Sequence, residues 1–264
     1  MDRELGEERT GGEPGQQRLG VIPSLTWPIS SLRGTIAPDE VHLWAWAFPP
    51  STAGLNAANL SAHLELLDLQ ERERMRRFHF AADRERYAVA HANLRRILGA
   101  YLNRAAQSIC FRSNRFGKPE LAGEASLNFS LSHCRSTAVL AVAHGQPVGV
   151  DVEDVKPVEP EVADAHFSAM ELSELNRLHG DAWLSGFYRC WTRKEAILKA
   201  EGVGLSRALD SFDVELLPDK PPKLLGTRER FSHPWTLHDL SPSLGTIGAL
   251  ATAQAQISVA CFSL

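Results

Sequence analysis

The 264-residue chain contains no run of eighteen consecutive apolar residues, so no membrane-spanning helix and no membrane partner are expected. Its opening stretch, MDRELGEERTGGEPGQQ, lacks the apolar core of a secretory signal, which makes the cytoplasm the expected compartment. Cysteine is scarce and scattered: Cys110, Cys134, Cys190 and Cys261 form no CxxC pair, so they read as small buried hydrophobes rather than as a disulfide framework or a zinc site. Neither GxxxxGK[ST] nor GxGxxG occurs, which removes P-loop and Rossmann phosphate binding, and there is no GxSxG nucleophile elbow. What remains is an ordinary globular composition, 44% hydrophobic and 23% charged, which excludes collagen, low-complexity disorder and coiled coil. The length suits one large domain or two small ones.

Charge is unevenly spread. The net charge is -4, yet residues 72–118 hold 11 Arg and 1 Lys against Glu73, Asp83 and Glu85, a local balance of +9 that leaves -13 elsewhere. A solvated helical face with Glu–Arg pairs accounts for such a run, and so does a polyanionic ligand or an acidic partner. Few exposed-looking aromatics are interleaved in it, which weakens a single-strand nucleic-acid reading, and no nucleic-acid partner is expected.

Residues 1–35 carry scattered Gly, Pro and charge without an apolar period and are expected to be a disordered lead-in. Residues 36–148 and 149–264 then read as two halves of similar plan. In the first, EVHLWAWAF (40–48) alternates and predicts a strand stopped by Pro49-Pro50. One helix is predicted over 61–78. A second, over 83–102, has Tyr87, Ala90, Leu94, Ile97, Leu98 and Tyr101 as its apolar stripe, with Arg95 and Arg96 off it. Strands are expected at 127–131, 137–143 and 148–153. The second half predicts helices at 169–178 and 181–201, then strands near 211–217, 235–238, 248–253 and 257–262. STAVLAVAHGQPVGVDVE and GTIGALATAQAQISVACFS each read as two short apolar strands joined by a tight turn, and RERYAVAHANLRRIL corresponds to SGFYRCWTRKEAILK. The self-similarity is weak, but it suggests an α+β fold of two related halves with a ligand site between them.

Three segments could carry chemistry. In Val148–Glu153 the alternation of a strand points Val148, Val150 and Val152 into a core and Gly149, Asp151 and Glu153 the other way. Two neighbouring carboxylates repel, and a divalent cation cancels that cost; hard oxygen donors completed by water suit Mg²⁺. A solvated strand edge is the plain alternative. Trp191, Glu195 and Lys199 recur every four residues and share a helix face, so Glu195 could complete a metal site with Lys199 reaching a phosphate; an ordinary Glu–Lys surface pair explains the spacing too. Ser132 and His133 end a strand, where a hydroxyl and an imidazole can donate to an anion. Adjacent strand residues face opposite ways, so a Ser–His nucleophile pair is disfavoured. Lys118, in a Gly-Lys-Pro turn, is by default a surface lysine.

In order and spacing, GKP at 117–119, NFSLSHC at 128–134, GVDVE at 149–153 and FYRCWTRKEAILKAEGVGL at 187–205, with RRF at 76–78, resemble the 4'-phosphopantetheinyl transferases of the Sfp type. The resemblance spans roughly residue 40 to the C-terminus. It implies a pseudo-dimer of two similar α+β halves with coenzyme A in the cleft between them. It implies that Asp151, Glu153 and Glu195 ligate Mg²⁺ (or Mn²⁺), and that Lys199 stabilises or protonates the departing 3',5'-ADP. It implies that Lys118, Ser132 and His133 hold the coenzyme A phosphates, with Arg74 and Arg86 as candidates for the 3'-phosphate. The catalytic set would be Asp151, Glu195 and Lys199, the partner an apo acyl or peptidyl carrier protein, and the enzyme a monomer. Cys134-Arg135 departs from the Ser-Gly that many relatives carry there. Two rivals remain: a Mg²⁺-dependent phosphohydrolase or nucleotidyl enzyme using the same carboxylates, and a non-catalytic RNA- or acidic-protein-binding module built on 72–118.

Overall fold

The computed structural model describes residues 36–48 and 57–264; the lead-in expected at 1–35 lies outside them. The first half comprises β1 (Glu40–Ala47), α1 (Ala57–Leu64), α2 (Leu69–Arg76), α3 (Ala81–Leu102), β2 (Phe111–Ser113), β3 (Pro119–Leu121), β4 (Leu127–His133) and β5 (Thr137–His144). The second comprises β6 (Val148–Asp154), α4 (Pro160–His166), α5 (Ala169–Leu175), α6 (Asp181–Glu201), β7 (Phe212–Val214), β8 (Leu224–Thr227), β9 (Thr236–Leu240), β10 (Thr246–Thr252) and β11 (Ser258–Ser263).

The two halves repeat one plan: a strand, a long helix, a two-stranded hairpin, then two more strands. β1, α3, β2–β3, β4 and β5 correspond to β6, α6, β7–β8, β9 and β10. The main sheets have the orders β11-β1-β5-β4 and β6-β10-β9. The expected strand pairs at the ends of the two halves are therefore not hairpins. β5 stays in the first sheet while β6 opens the second, and β10 stays in the second while β11 returns to pair in parallel with β1.

Alternation along the strands builds four layers. On β1, Val41, Leu43 and Ala45 face a core between the sheets, which also holds Val139, Ala141, Val148, Val150, Val152 and Leu250. Trp44 and Trp46 face the other way, onto Leu94, Ile97 and Leu98 of α3. The second sheet buries Ala249 and Ala251 against α6. The order is thus helix, sheet, sheet, helix, each interface fed by one parity of side chains.

Two sequence expectations are corrected. The single helix at 61–78 is two, α1 and α2, because Asp68 and Glu71 form a reciprocal capping box that starts a new helix. Arg95, placed off the buried stripe, is fully buried: it donates to Glu71, Asp68 and the carbonyl of Ile109, and its guanidinium lies over the Phe111 ring. A charged residue can join a core when every donor finds an acceptor, which periodicity alone does not reveal.

The closest approach in the second half is between β6 and α6. A Cβ on Gly149 would collide with the Ala196 carbonyl oxygen and the Ala200 amide nitrogen, and would lie 2.9 Å from the Ala200 Cα. Glycine lets the helix lie directly on the strand. Gly149→Ala should therefore destabilise the fold by about 3 kcal/mol, the upper end for overpacking because the colliding atoms are backbone. Thermal unfolding should show a drop of roughly 6–12 °C; an unchanged midpoint would mean that the helix can shift freely.

Candidate functional site

β6 carries Gly149, Asp151 and Glu153 on the face turned to α6, as alternation predicts, while Val148, Val150 and Val152 are fully buried between the sheets. On α6, residues 192–194, 196–198 and 200 are buried, and the half-exposed positions in between are Trp191, Glu195 and Lys199. The four-residue spacing thus marks the open face of an otherwise enclosed helix. Gly202, with φ +74°, caps it, its amide bonded to the Leu198 carbonyl.

Beside β6 runs β4, the edge strand of the first sheet. Ser130 and Ser132 lie two residues apart and face the same way. The Ser130 hydroxyl accepts from the Val150 amide at 3.1 Å and the Ser132 hydroxyl from the Val152 amide at 3.4 Å. Two hydroxyls thus close the seam between the sheets. Ser130 was not foreseen; the signal for it was the S-x-S spacing.

Asp151, Ser132 and Lys199 meet at this seam. The Ser132 hydroxyl donates to Asp151 Oδ1 at 2.8 Å, and Lys199 Nζ donates to the same oxygen at 2.6 Å and to Ser132 Oγ at 2.9 Å. Three elements from two halves supply one charge-assisted triangle. The second oxygen of Asp151, Oδ2, is buried and has no partner among the described residues. A buried carboxylate oxygen without a donor is costly, and such an atom implies a ligand or a cation.

The flanking carboxylates point the same way. Burial raises the Glu153 pKa to about 7, the Asp151 charge adds to the rise, and Lys199 opposes it. Burial and then Asp151 also raise that of Glu195, again opposed by Lys199. Asp151 is the common neighbour of two acids that are each reluctant to ionise beside it. Among the described residues no set of three His, Cys, Asp or Glu side chains forms a ready-made metal cage. The donor chemistry nonetheless fits a hard cation that keeps most of its water: an unpartnered anionic oxygen and two carboxylates under mutual repulsion.

Next to Ser132, the His133 ring is exposed at the surface yet set among other groups. Loss of hydration, followed by the fields of His91, Lys199 and Arg86, lowers its pKa to about 4, and Asp83 opposes the shift. Arg86 pairs with Asp83. Arg86 on α3 and Lys199 on α6 thus set positive charge against the His133 ring at the end of β4.

Comparison with known proteins bears directly on this site. Residues 147–260 match the profile of the 4'-phosphopantetheinyl transferase superfamily, and residues 55–145 match that of the 4'-phosphopantetheinyl transferase N-terminal region. The 4'-phosphopantetheinyl transferase HetI of Nostoc sp. is 32% identical over 235 residues, covering 86% of this chain and 94% of that protein. The chain belongs to the 4'-phosphopantetheinyl transferase family.

The family is one of transferase enzymes. The transferase Sfp of Bacillus subtilis is 32% identical over 156 residues, 59% of this chain and 69% of that protein. The human L-aminoadipate-semialdehyde dehydrogenase-phosphopantetheinyl transferase is 29% identical over 187 residues, 66% of this chain and 60% of that protein. The two profiles meet at the turn between β5 and β6, where the structural repeat begins again.

Not every expected residue of this transferase-family chain gathers at the seam. Asp151, Ser132 and Lys199 are in direct contact; Glu153, Glu195, His133 and Arg86 share their electrostatic surroundings. Lys118 is placed differently from the surface lysine expected of its turn. Its ammonium donates at 3.3 Å to the carbonyls of Val148 and Ala200, and burial lowers its pKa to about 8 against the pull of Glu120. It ties the β2–β3 turn to the start of β6 and the end of α6. Arg74 is exposed and, with Gln70, Glu73, Arg77 and Phe78, lines a recess of about 730 Å³ on α2.

Below pH 6.5 an unfolded His133 gains a proton that the folded chain does not take up until about pH 4, so this group withdraws stability as pH falls through that window. An NMR titration should place the wild-type ring near pH 4 and move it upward when inorganic pyrophosphate is added. His133→Gln should show a shallower stability loss between pH 6.5 and 4; an unchanged slope would show that His133 is not the group responsible.

Proposed function

We propose that this chain transfers the 4'-phosphopantetheine group of coenzyme A to a serine hydroxyl of an apo acyl or peptidyl carrier protein, with Mg²⁺, releasing 3',5'-ADP. The observation that carries the reading is the Asp151 carboxylate: one oxygen held by Lys199 and Ser132, the other buried without a partner beside two acids of raised pKa.

In this reading Asp151, Glu153 and Glu195 would hold Mg²⁺, which when bound supplies charge neutralisation at a pyrophosphate. The protein's own groups do the rest. His133 offers a ring N–H to the phosphates at the seam, and Ser132 an O–H once it turns from Asp151 Oδ1. Glu195 stands on the open face of α6 one turn before Lys199, so its carboxylate suits removal of the proton from the attacking serine. The β-phosphorus–oxygen bond to the carrier forms as the bridging oxygen leaves with 3',5'-ADP, and the Lys199 ammonium stabilises that leaving oxygen. The rigid seam contributes mainly by positioning and by fixed charge.

The test is the intact mass of an apo carrier protein incubated with this chain, coenzyme A and Mg²⁺. A gain of one phosphopantetheine is expected. Lys199→Met should slow turnover about 10²–10³-fold while changing the KM for coenzyme A far less, the size expected for losing one charge-stabilising group. Asp151→Asn should stay folded and lose transfer to a similar or greater degree. Near-wild-type transfer by either variant would refute the assignment. The choice among fatty-acid, polyketide and nonribosomal-peptide carriers is left to the same assay run across carriers.

A further inference from the structure

We propose that Asp154 is a positioning residue for the transfer: it acts through Ser132, holding that hydroxyl in register with Asp151 and Lys199. The inference rests on the transferase reading above and assigns Asp154 a role that reading did not use.

β4 and β6 belong to different sheets, and side chains join them. The two strands advance together, two residues at a time, and each step carries a bridge. Ser130 Oγ accepts from the Val150 amide at 3.1 Å, and Ser132 Oγ accepts from the Val152 amide at 3.4 Å. At the third step Asp154 meets the turn that follows β4. The Arg135 amide donates to Asp154 Oδ2 at 2.8 Å, and the Ser136 hydroxyl donates to Oδ1, so both carboxylate oxygens are used on one turn.

The three bridges differ in strength. The first two are bonds between a hydroxyl and an amide, and the second, at 3.4 Å, lies beyond the usual N–H···O range, so it holds Ser132 weakly. The third joins a carboxylate to two donors and is the strong one. The turn itself is already fixed to the first half by main chain. The Cys134 amide donates to the Thr137 carbonyl at 2.9 Å, and the Phe48 amide donates to the Ser136 carbonyl at 2.9 Å. Asp154 therefore ties a rigid corner of the first half to the end of β6. Ser132, two residues before that corner, is held between this tie and the Ser130 bridge.

The Lys199 ammonium depends on that register. Ser132 Oγ donates to Asp151 Oδ1 at 2.8 Å while accepting from Lys199 Nζ at 2.9 Å and from Val152. A hydroxyl has one hydrogen and two lone pairs, and all are engaged. A slip of β4 along β6 breaks one of the three contacts. Lys199, on a flexible four-carbon stem, then loses an acceptor that orients it. By strand alternation Asp154 shares the face of Val150 and Val152 rather than that of Asp151 and Glu153, so its effect reaches the site through Ser132.

The experiment compares wild type with Asp154→Ala and Asp154→Asn in transfer kinetics and in amide hydrogen exchange. Alanine removes both acceptors; asparagine keeps one oxygen for the turn. In Asp154→Ala kcat should fall about ten-fold, within the range of up to about 10²-fold for a displaced group, and KM for coenzyme A should stay within about two-fold of wild type. Asp154→Asn should lie between the two. Without substrate, the Val152 amide of Asp154→Ala should exchange about ten-fold faster, the scale of one lost hydrogen bond, while the Val150 amide keeps its wild-type rate. A merely stabilising role would lower the thermal midpoint and quicken both amides alike with kcat unchanged; that result, or wild-type kcat in Asp154→Ala, would overturn the proposal. If Asp154→Ala does not fold, Ser136→Ala removes one donor and leaves the carboxylate: a smaller fall in kcat with faster Val152 exchange supports the proposal, and wild-type values of both refute it. A wild type that modifies no carrier overturns the transferase reading, whereas the exchange rates need no carrier and still decide whether Asp154 sets the register of Ser132.

Discussion

The backbone contact between β6 and α6 at Gly149 governs the rest. With no Cβ in the way, the helix lies on the strand closely enough for Lys199, one turn beyond Glu195, to reach Asp151, two residues along the strand. Both long α6 side chains stand on the open face of a helix whose other sides are buried. The distance between the strand carboxylates and the helix groups is therefore set by packing of main chain on main chain, the least adjustable contact a protein has. The aromatic cluster of Phe167, Phe187 and Trp191 holds the same helix from the other end.

The second constraint is the edge of β6, in the second sheet, where it meets β4. An edge strand in the middle of a protein leaves main-chain groups in need of partners, and here Ser130 and Ser132 supply oxygens to two amides of β6. Ser132 thereby serves both the fold and the site, because the hydroxyl that closes the seam also donates to Asp151 and accepts from Lys199. Its neighbour two positions on, Cys134, leads into a turn locked from β6: Asp154 accepts the Arg135 amide at 2.8 Å and the Ser136 hydroxyl. This carboxylate anchors the turn through Cys134-Arg135.

Much of this was legible in the residues because it depends on period. Period two placed Val148, Val150 and Val152 in the core and Asp151 and Glu153 on the face turned to α6; period 3.6 placed Glu195 and Lys199 together and gave α6 its observed bounds. What could not be read were relations between elements with no fixed spacing. Which sheet a strand enters is decided by long-range packing, so β10–β11 looks like a hairpin until β11 is seen beside β1. Burial of Arg95 depends on Asp68, Glu71 and Ile109 arriving from three places. Lys118 looks like a surface lysine in a turn until the ends of β6 and α6 present carbonyls to it.

The electrostatics of the seam also bear on stability. A carboxylate buried with one oxygen unpaired, and two more acids that burial makes reluctant to ionise, are costs that a merely structural strand would shed by substitution with apolar residues. Lys199 offsets part of the cost at Asp151 Oδ1, but one ammonium cannot serve three carboxylates. The fold carries the remainder elsewhere, in the apolar layer between the sheets and in the fully buried pair of Lys194 and Glu171, which fixes α5 to α6 one residue before Glu195. Concentrating unfavourable charge at one point and rigid, satisfied contacts around it is what a site needs if an incoming cation and polyphosphate are to relieve the strain on binding.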